Sequence, residues 1–303
     1  MNAIKSKYTY VLKSIKKHQF LKPKLSNLSG KTYVISGGTR GIGLSIAKHL
    51  SALGANIALL GKTTNPHPKL EGTIHTACQE VMMCRNNTDS KALGLVCDIR
   101  KPDSIDNAID TAVREFGSID GAVLNASALC LSPTLKQTDK EIDLMSGVNI
   151  NGTFRVGQRC LEHIQKSDHG NILLISPPIE MLYEDDWWKN HLYYSMSKFN
   201  MSLIGKFWDK EFKNVGVNTL WPRTTINTAP VRNILGGDEM AMISRTPDIM
   251  GEAAKHIICA DPTICTGKNL IDDEVLSSLD IPLDQYKVNK QLSDKDLMPD
   301  FFC

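Results

Sequence analysis

An α/β fold built on one parallel sheet wound in both directions is predicted by three observations. Short apolar, β-rich runs alternate with longer helical patterns, the runs are apolar on both faces, and a glycine-rich turn separates the first run from the first helix. The runs are TYVIS at 32–36, NIALL at 56–60, ALGLV at 92–96, DGAVL at 120–124, NILLI at 171–175, GVNTL at 216–220 and KNLI at 268–271. Strands that show no polar face belong in a parallel sheet covered on both sides. Between them, residues 42–53, 70–84, 103–116, 139–165 and 191–212 carry helix spacing. The expectation is a single doubly wound, Rossmann-type sheet of about seven strands with helices on both faces.

At 303 residues the chain can bury one large core, so length does not force a second domain. Residues 29–303 read as one domain with a tail from about 276, preceded by a basic extension over 1–28. The net charge of +2 gives no global attraction to nucleic acid, and no run approaches the length of a membrane span. The eight cysteines are scattered without a C-x-x-C pair, and no histidines cluster at ligand spacing, so neither a disulfide framework nor a metal centre is expected.

The first thirty residues hold seven lysines and no acid; the first acidic residue is Glu71. Ile4, Tyr8, Val11, Leu12 and Ile15 fall on one helical face among lysines. A basic amphipathic start of this kind reads as a mitochondrial transit peptide, although it has no arginine. The alternatives are a solvated basic arm on a cytosolic or peroxisomal enzyme and an interfacial anchor.

The turn SGGTRGIG at 36–43 lets the backbone bring amide N–H groups and a helix N-terminus against a pyrophosphate. The second strand ends in Gly61-Lys62, and Arg40 lies within the glycine turn. With no acid to bond a ribose 2′-hydroxyl, these cations predict NADP(H), with Lys62 and Arg40 on the 2′-phosphate. Two long connections, 61–74 and 177–190, follow strand ends and should border the site; Trp187 and Trp188 in the second line a substrate pocket or anchor the loop.

Downstream, YYSMSKF places Tyr194 and Lys198 four apart, phenol and ammonium one helical turn from each other. A nearby ammonium favours the phenolate, which suits a tyrosine to proton transfer during carbonyl reduction. Tyr193 lacks that spacing to Lys198.

Taken together, these motifs resemble the short-chain dehydrogenase/reductase family over about residues 28–275. The family's T-G-x-x-x-G-x-G pattern is matched from Ser36 to Gly43, with Ser for Thr, which implies that Ser36, Gly37, Thr39, Arg40, Gly41, Ile42 and Gly43 form the coenzyme turn. The resemblance also implies that Asp98 bonds adenine, that Asn125-Ala126-Ser127 is the family's N-A-G element with Ser127 in place of its glycine, and that Asn149 orders a relay water. Tyr194 becomes the proton donor, Lys198 supports it and holds the nicotinamide ribose, and Pro222 begins the nicotinamide-side element, where Arg223 stands in place of the usual glycine. Homo-oligomers pairing through 139–165 and 191–213 are common in the family.

One departure bears on chemistry. The family's serine ligand of the substrate oxygen falls at Pro177, with Ser176 one residue early. Ser176 either reaches the substrate oxygen through a turn or ends the strand as a structural hydroxyl. The expected function is NADP(H)-dependent interconversion of a secondary alcohol and a ketone on a hydrophobic, lipid-derived small molecule. A cofactor-binding regulatory protein that has lost catalysis is the alternative, and an enoyl-CoA reductase a weaker one.

Overall fold

The computed structural model describes residues 21, 25–67, 70–87, 89–183 and 190–302. The helical pattern at residues 4–15, and Trp187 and Trp188 of the second long connection, lie outside them. Seven strands, β1 (Thr32–Ser36), β2 (Asn56–Gly61), β3 (Ala92–Val96), β4 (Gly121–Leu124), β5 (Asn171–Ile175), β6 (Gly216–Trp221) and β7 (Asn269–Ile271), form one sheet. All neighbours are parallel, in the order β3-β2-β1-β4-β5-β6-β7.

Every residue of β1, β4, β5 and β6 is buried, as a sheet covered on both sides requires. The pleat sends Tyr33 and Ile35 to one apolar cluster and Val34 to the other; Ile57 and Leu59 part from Ala58 and Leu60 in the same way. The covering helices are α1 (Gly41–Ser51), α2 (Ile74–Met83), α3 (Pro102–Phe116), α4 (Asp139–Met145), α5 (Thr153–Ile164), α6 (Leu192–Glu211), α7 (Gly237–Met242), α8 (Asp248–Cys259) and α9 (Asp272–Ser277).

The continuous helix expected over 139–165 is divided. Thr138 caps α4 in a reciprocal box with Glu141, but residues Ser146–Gly152 take a wider π-helical turn before α5 begins. Such turns are frequent at functional sites, and this one carries the buried Asn149. The helix expected from Leu70 starts only at Ile74, where Thr73 forms a capping box with Thr76.

The sheet order reverses between β1 and β4, so the loops after those strands diverge and leave a crevice at their carboxyl ends. The loop after β6 borders the same crevice, whereas no described residue of the 177–190 connection lines it, contrary to the expectation for that connection. No helix among the described residues is long and apolar enough to cross a membrane.

Candidate active site

A cavity of about 490 Å³ occupies this crevice and runs from the end of β2 to the N-terminal half of α6. Its floor is the turn after β1. Gly37 has φ +66°, a conformation that side chains disfavour. Gly43 faces the turn so closely that a Cβ there would stand 2.5 Å from the Gly37 carbonyl oxygen and 2.6 Å from Asn125 Nδ2. Only a residue without a side chain lets α1 abut the turn, which is the cradle a dinucleotide pyrophosphate needs.

Gly37, Thr39, Arg40, Gly41 and Ile42 line the cavity, whereas Ser36 and Gly43 shape it from behind. Ser36 Oγ accepts from the backbone N–H groups of Asn125 and Ala126, both at 3.1 Å. Asn125 Nδ2 donates to the carbonyls of Ser36 and Gly37, also at 3.1 Å. Thus Asn125 ties the ends of β1 and β4 together while forming part of the wall.

At the opposite end lie Gly61, Lys62, Asp98 and Leu70. The Arg40 guanidinium is engaged by its own loop: Nε donates to the Glu71 carbonyl at 2.8 Å and Nη2 to the Gly72 carbonyl at 2.9 Å. Lys62 is exposed. Asp98 is gripped by Arg100, whose Nη2 lies 2.6 Å from Oδ2 and whose backbone N–H donates to Oδ1. That grip, foremost the guanidinium hydrogen bond, holds the Asp98 carboxyl at a pKa of about 2.

The other end holds the proton-transfer candidates. Tyr194 and Lys198 both line the cavity from α6, one turn apart and almost fully buried. Lys198 Nζ donates to the Ile175 carbonyl at 2.6 Å and lies 5.1 Å from the centre of the Trp221 ring. Burial pulls its pKa down to about 7, with Asp300 opposing. Burial, aided by the Asp300 charge, pushes the Tyr194 phenol far above its ordinary value and favours the protonated form.

Asn149 stands behind this pair. Its Oδ1 accepts from the Ala128 N–H at 2.7 Å, and its Nδ2 donates to the Ala128 carbonyl at 2.9 Å and to Ser197 Oγ at 2.8 Å. Ser197 in turn donates to the Tyr194 carbonyl at 2.7 Å. Asn149 thereby locks the loop after β4 to the helix that carries Tyr194 and Lys198.

Ser176 is not brought to the cavity. The chain turns directly after β5, with the Ser176 N–H donating to the Leu174 carbonyl at 3.1 Å and the Pro177 carbonyl accepting from Ser202 Oγ at 2.6 Å. The Ser176 side chain is fully buried, and its hydroxyl has no hydrogen-bond partner among the described residues. Of the two readings of Ser176, this burial favours the strand-ending structural hydroxyl: the turn points the side chain into the protein.

The segment 297–302 enters the site instead, and no sequence signal placed it there. The Thr225 N–H donates to the Met298 carbonyl, the Asp300 N–H to the Arg223 carbonyl and Trp221 Nε1 to the Phe301 carbonyl, at 2.9, 3.0 and 2.7 Å. Phe302 sits with its ring centre 5.2 Å from Phe199, 5.6 Å from Trp221 and 6.4 Å from Tyr194. Asp300 and Phe301 line the cavity beside Tyr194 and Pro222. Arg223, unusual at its position, reaches away to Asp273 and Glu274 on α9, at 3.2 and 2.5 Å, leaving its carbonyl to hold the segment.

The comparisons with known proteins agree with this architecture. Hydroxysteroid dehydrogenase-like protein 2 of Xenopus tropicalis is 40% identical over 92% of the chain, and that of Danio rerio 40% identical over 91%. The chain spans 65% and 64% of the lengths of these two relatives. The crystal structure of a short chain dehydrogenase from Mycobacterium thermoresistibile superposes with a TM-score of 0.81 at 40% identity, covering 90% of this chain and 95% of that one. The short chain dehydrogenase family model matches residues 31–234, from β1 through the loop after β6, and the chain belongs to the short-chain dehydrogenase/reductase family of oxidoreductases.

Proposed function

We propose that the protein is an NADP(H)-dependent oxidoreductase that interconverts a secondary alcohol and a ketone on a hydrophobic, lipid-derived substrate. The observation that carries this reading is that Tyr194 and Lys198 line one cavity with the glycine turn, so a bound dinucleotide and a proton donor would share it. When bound, the nicotinamide supplies the hydride. Tyr194 then passes its phenolic proton to the substrate oxygen as charge develops there. Its protonated form, favoured by burial, suits the reducing direction. Lys198 holds the coenzyme ribose and lowers the cost of the phenolate left behind, while Asn149 orders the relay that restores the proton.

Lys62 and the absence of an acid at the end of β2 support NADP(H). Arg40 contributes by fixing the loop over the adenosine end, and its guanidinium would have to turn from Glu71 and Gly72 to reach a 2′-phosphate. Leu129, Leu144, Val148, Val231 and Leu235 on the cavity wall favour an apolar substrate, as does the name of the curated relatives. Fluorescence titration with NADPH and NADH, followed by a carbonyl and alcohol panel including fatty-acyl and steroid compounds, tests the reading. Tyr194→Phe should lower turnover by about 10²–10⁴-fold while leaving NADPH affinity near wild type. A fully active variant would refute the role.

One observation favours a second reading, a cofactor-binding regulatory protein without efficient catalysis: Ser176 is sealed from the cavity. Turnover of any panel member that depends on Tyr194 would reject it. For residues 1–28 we propose a mitochondrial address, on their lysines and lack of acids; a reporter fused behind them should enter mitochondria, and a cytosolic reporter would defeat the assignment.

A further inference from the structure

A carbonyl oxygen that gains negative charge is stabilised by more than one preorganised donor, and Tyr194 supplies only one. The end of β5 supplies no second: Pro177 has no side-chain donor, and the Ser176 hydroxyl is buried away from the cavity. Lys198 donates to the Ile175 carbonyl, and the reading above gives its remaining donors to the coenzyme ribose. Asp300 lines the same cavity as Tyr194 and Lys198 and is near enough to influence both electrostatically. Its backbone is fixed from both sides, through Met298 to Thr225, its own N–H to Arg223, Phe301 to Trp221, and the Phe302 ring packed among Tyr194, Phe199 and Trp221. Side chains anchored this way hold the geometry that catalysis requires.

We propose that Asp300 is a catalytic residue whose carboxyl group donates a second hydrogen bond to the substrate oxygen that Tyr194 protonates. The inference rests on the ketone-reductase reading above. Asp300 can act as a donor only as the neutral acid, and its surroundings favour that form. Burial, and then the nearby Asp272 charge, outweigh the opposing Phe301 N–H and Lys198 and raise its pKa well above the ordinary carboxyl range. A carboxylic acid kept neutral by an apolar site is an established way to donate to an oxyanion. In reduction, the hydride pair enters the carbonyl carbon as the C=O π pair moves onto oxygen. That oxygen takes the Tyr194 proton, and Asp300 keeps its own.

The test uses the full chain with Asp300→Ala, Asp300→Asn and Tyr194→Phe, assayed on the panel ketone that wild type reduces fastest. Loss of one oxyanion donor should lower kcat/KM of Asp300→Ala by about 10²–10³-fold. Asp300→Asn, which keeps an N–H donor, should stay within about tenfold of wild type. Infrared spectra of the non-reacting complex with NADP⁺ and carbonyl-labelled acetophenone should show a lowered ketone stretch in wild type and Asp300→Asn, partly restored in Asp300→Ala. Should Asp300→Ala fail to bind NADP⁺, the wild-type minus Asp300→Asn spectrum decides. A protonated-carboxyl band that moves when acetophenone binds supports the proposal, and a band that is absent or unmoved overturns it. Tyr194-dependent turnover that is indifferent to Asp300→Ala overturns this inference alone. Absence of any Tyr194-dependent turnover overturns the reductase reading, and this inference with it.

Discussion

Lys198 is the residue whose surroundings cost most. Its ammonium is removed from water and has a carbonyl, a thioether and an indole face for company. Burial lowers its pKa from 10.5 to about 7, so between those values the unfolded chain binds a proton that the folded protein does not. Stability from this residue therefore rises with pH through that window and is least below about 7. Lys198→Met should melt higher than wild type near neutral pH, with the difference shrinking toward pH 10 and ribose binding weakened throughout. Thermal melts across that range check the sign. On the proposed reading, Lys62 would carry the coenzyme choice, since Arg40 is fastened to two carbonyls. Lys62→Asp should erode the preference for NADPH over NADH in fluorescence titration, and an unchanged affinity ratio would sink the assignment.

The π-helical turn between α4 and α5 is the element that makes the site rigid. It delivers Asn149, which satisfies both backbone groups of Ala128 and reaches Ser197 behind Tyr194. Asn149→Ala strands the half-buried N–H and carbonyl of Ala128, so about 1–3 kcal/mol of stability should be lost in denaturant titration, with turnover falling further than NADPH affinity. The turn was not readable from spacing, because apolar periodicity across 139–165 continues through it; only the side-chain clamp shows why the helix widens there. The strands were readable to within a residue because parallel burial leaves continuous apolar runs. The glycine turn and the Tyr194-Lys198 pair were readable for a related reason, since their chemistry is local in sequence. Asp300 and Phe301 were not: they meet Tyr194 across more than a hundred residues, and a short acid-aromatic segment has no period to betray its destination. Ser176 lay between these cases. Its position was legible, but the turn that buries it depends on Ser202 holding the Pro177 carbonyl.

For the whole molecule, among the described residues, the neighbouring helices α5 and α6 leave apolar side chains uncovered. Phe207 and Leu203 on α6 and Phe154 on α5 are exposed, with Phe207 67% accessible, and Phe154 packs its ring 5.6 Å from Trp208. An apolar surface of this kind on two adjacent helices supports self-association, the homo-oligomer expected from the family. Phe207→Glu should shift the protein toward the monomer in light scattering coupled to gel filtration, with NADPH affinity retained. An unchanged mass would place any self-association elsewhere.

The order in which the chain emerges during synthesis gives the 297–302 segment a further meaning. Domains form from the N-terminal side as the polypeptide leaves the ribosome, and β1, β2 and the glycine turn are made long before Asp300. A nascent or proteolytically shortened chain that stops before residue 297 would own the dinucleotide cradle and the tyrosine yet lack Asp300 and Phe301 from the cavity wall. Such a fragment could sequester coenzyme without consuming it, so synthesis past residue 302, and not folding of the sheet, would mark the moment at which the proposed activity becomes possible.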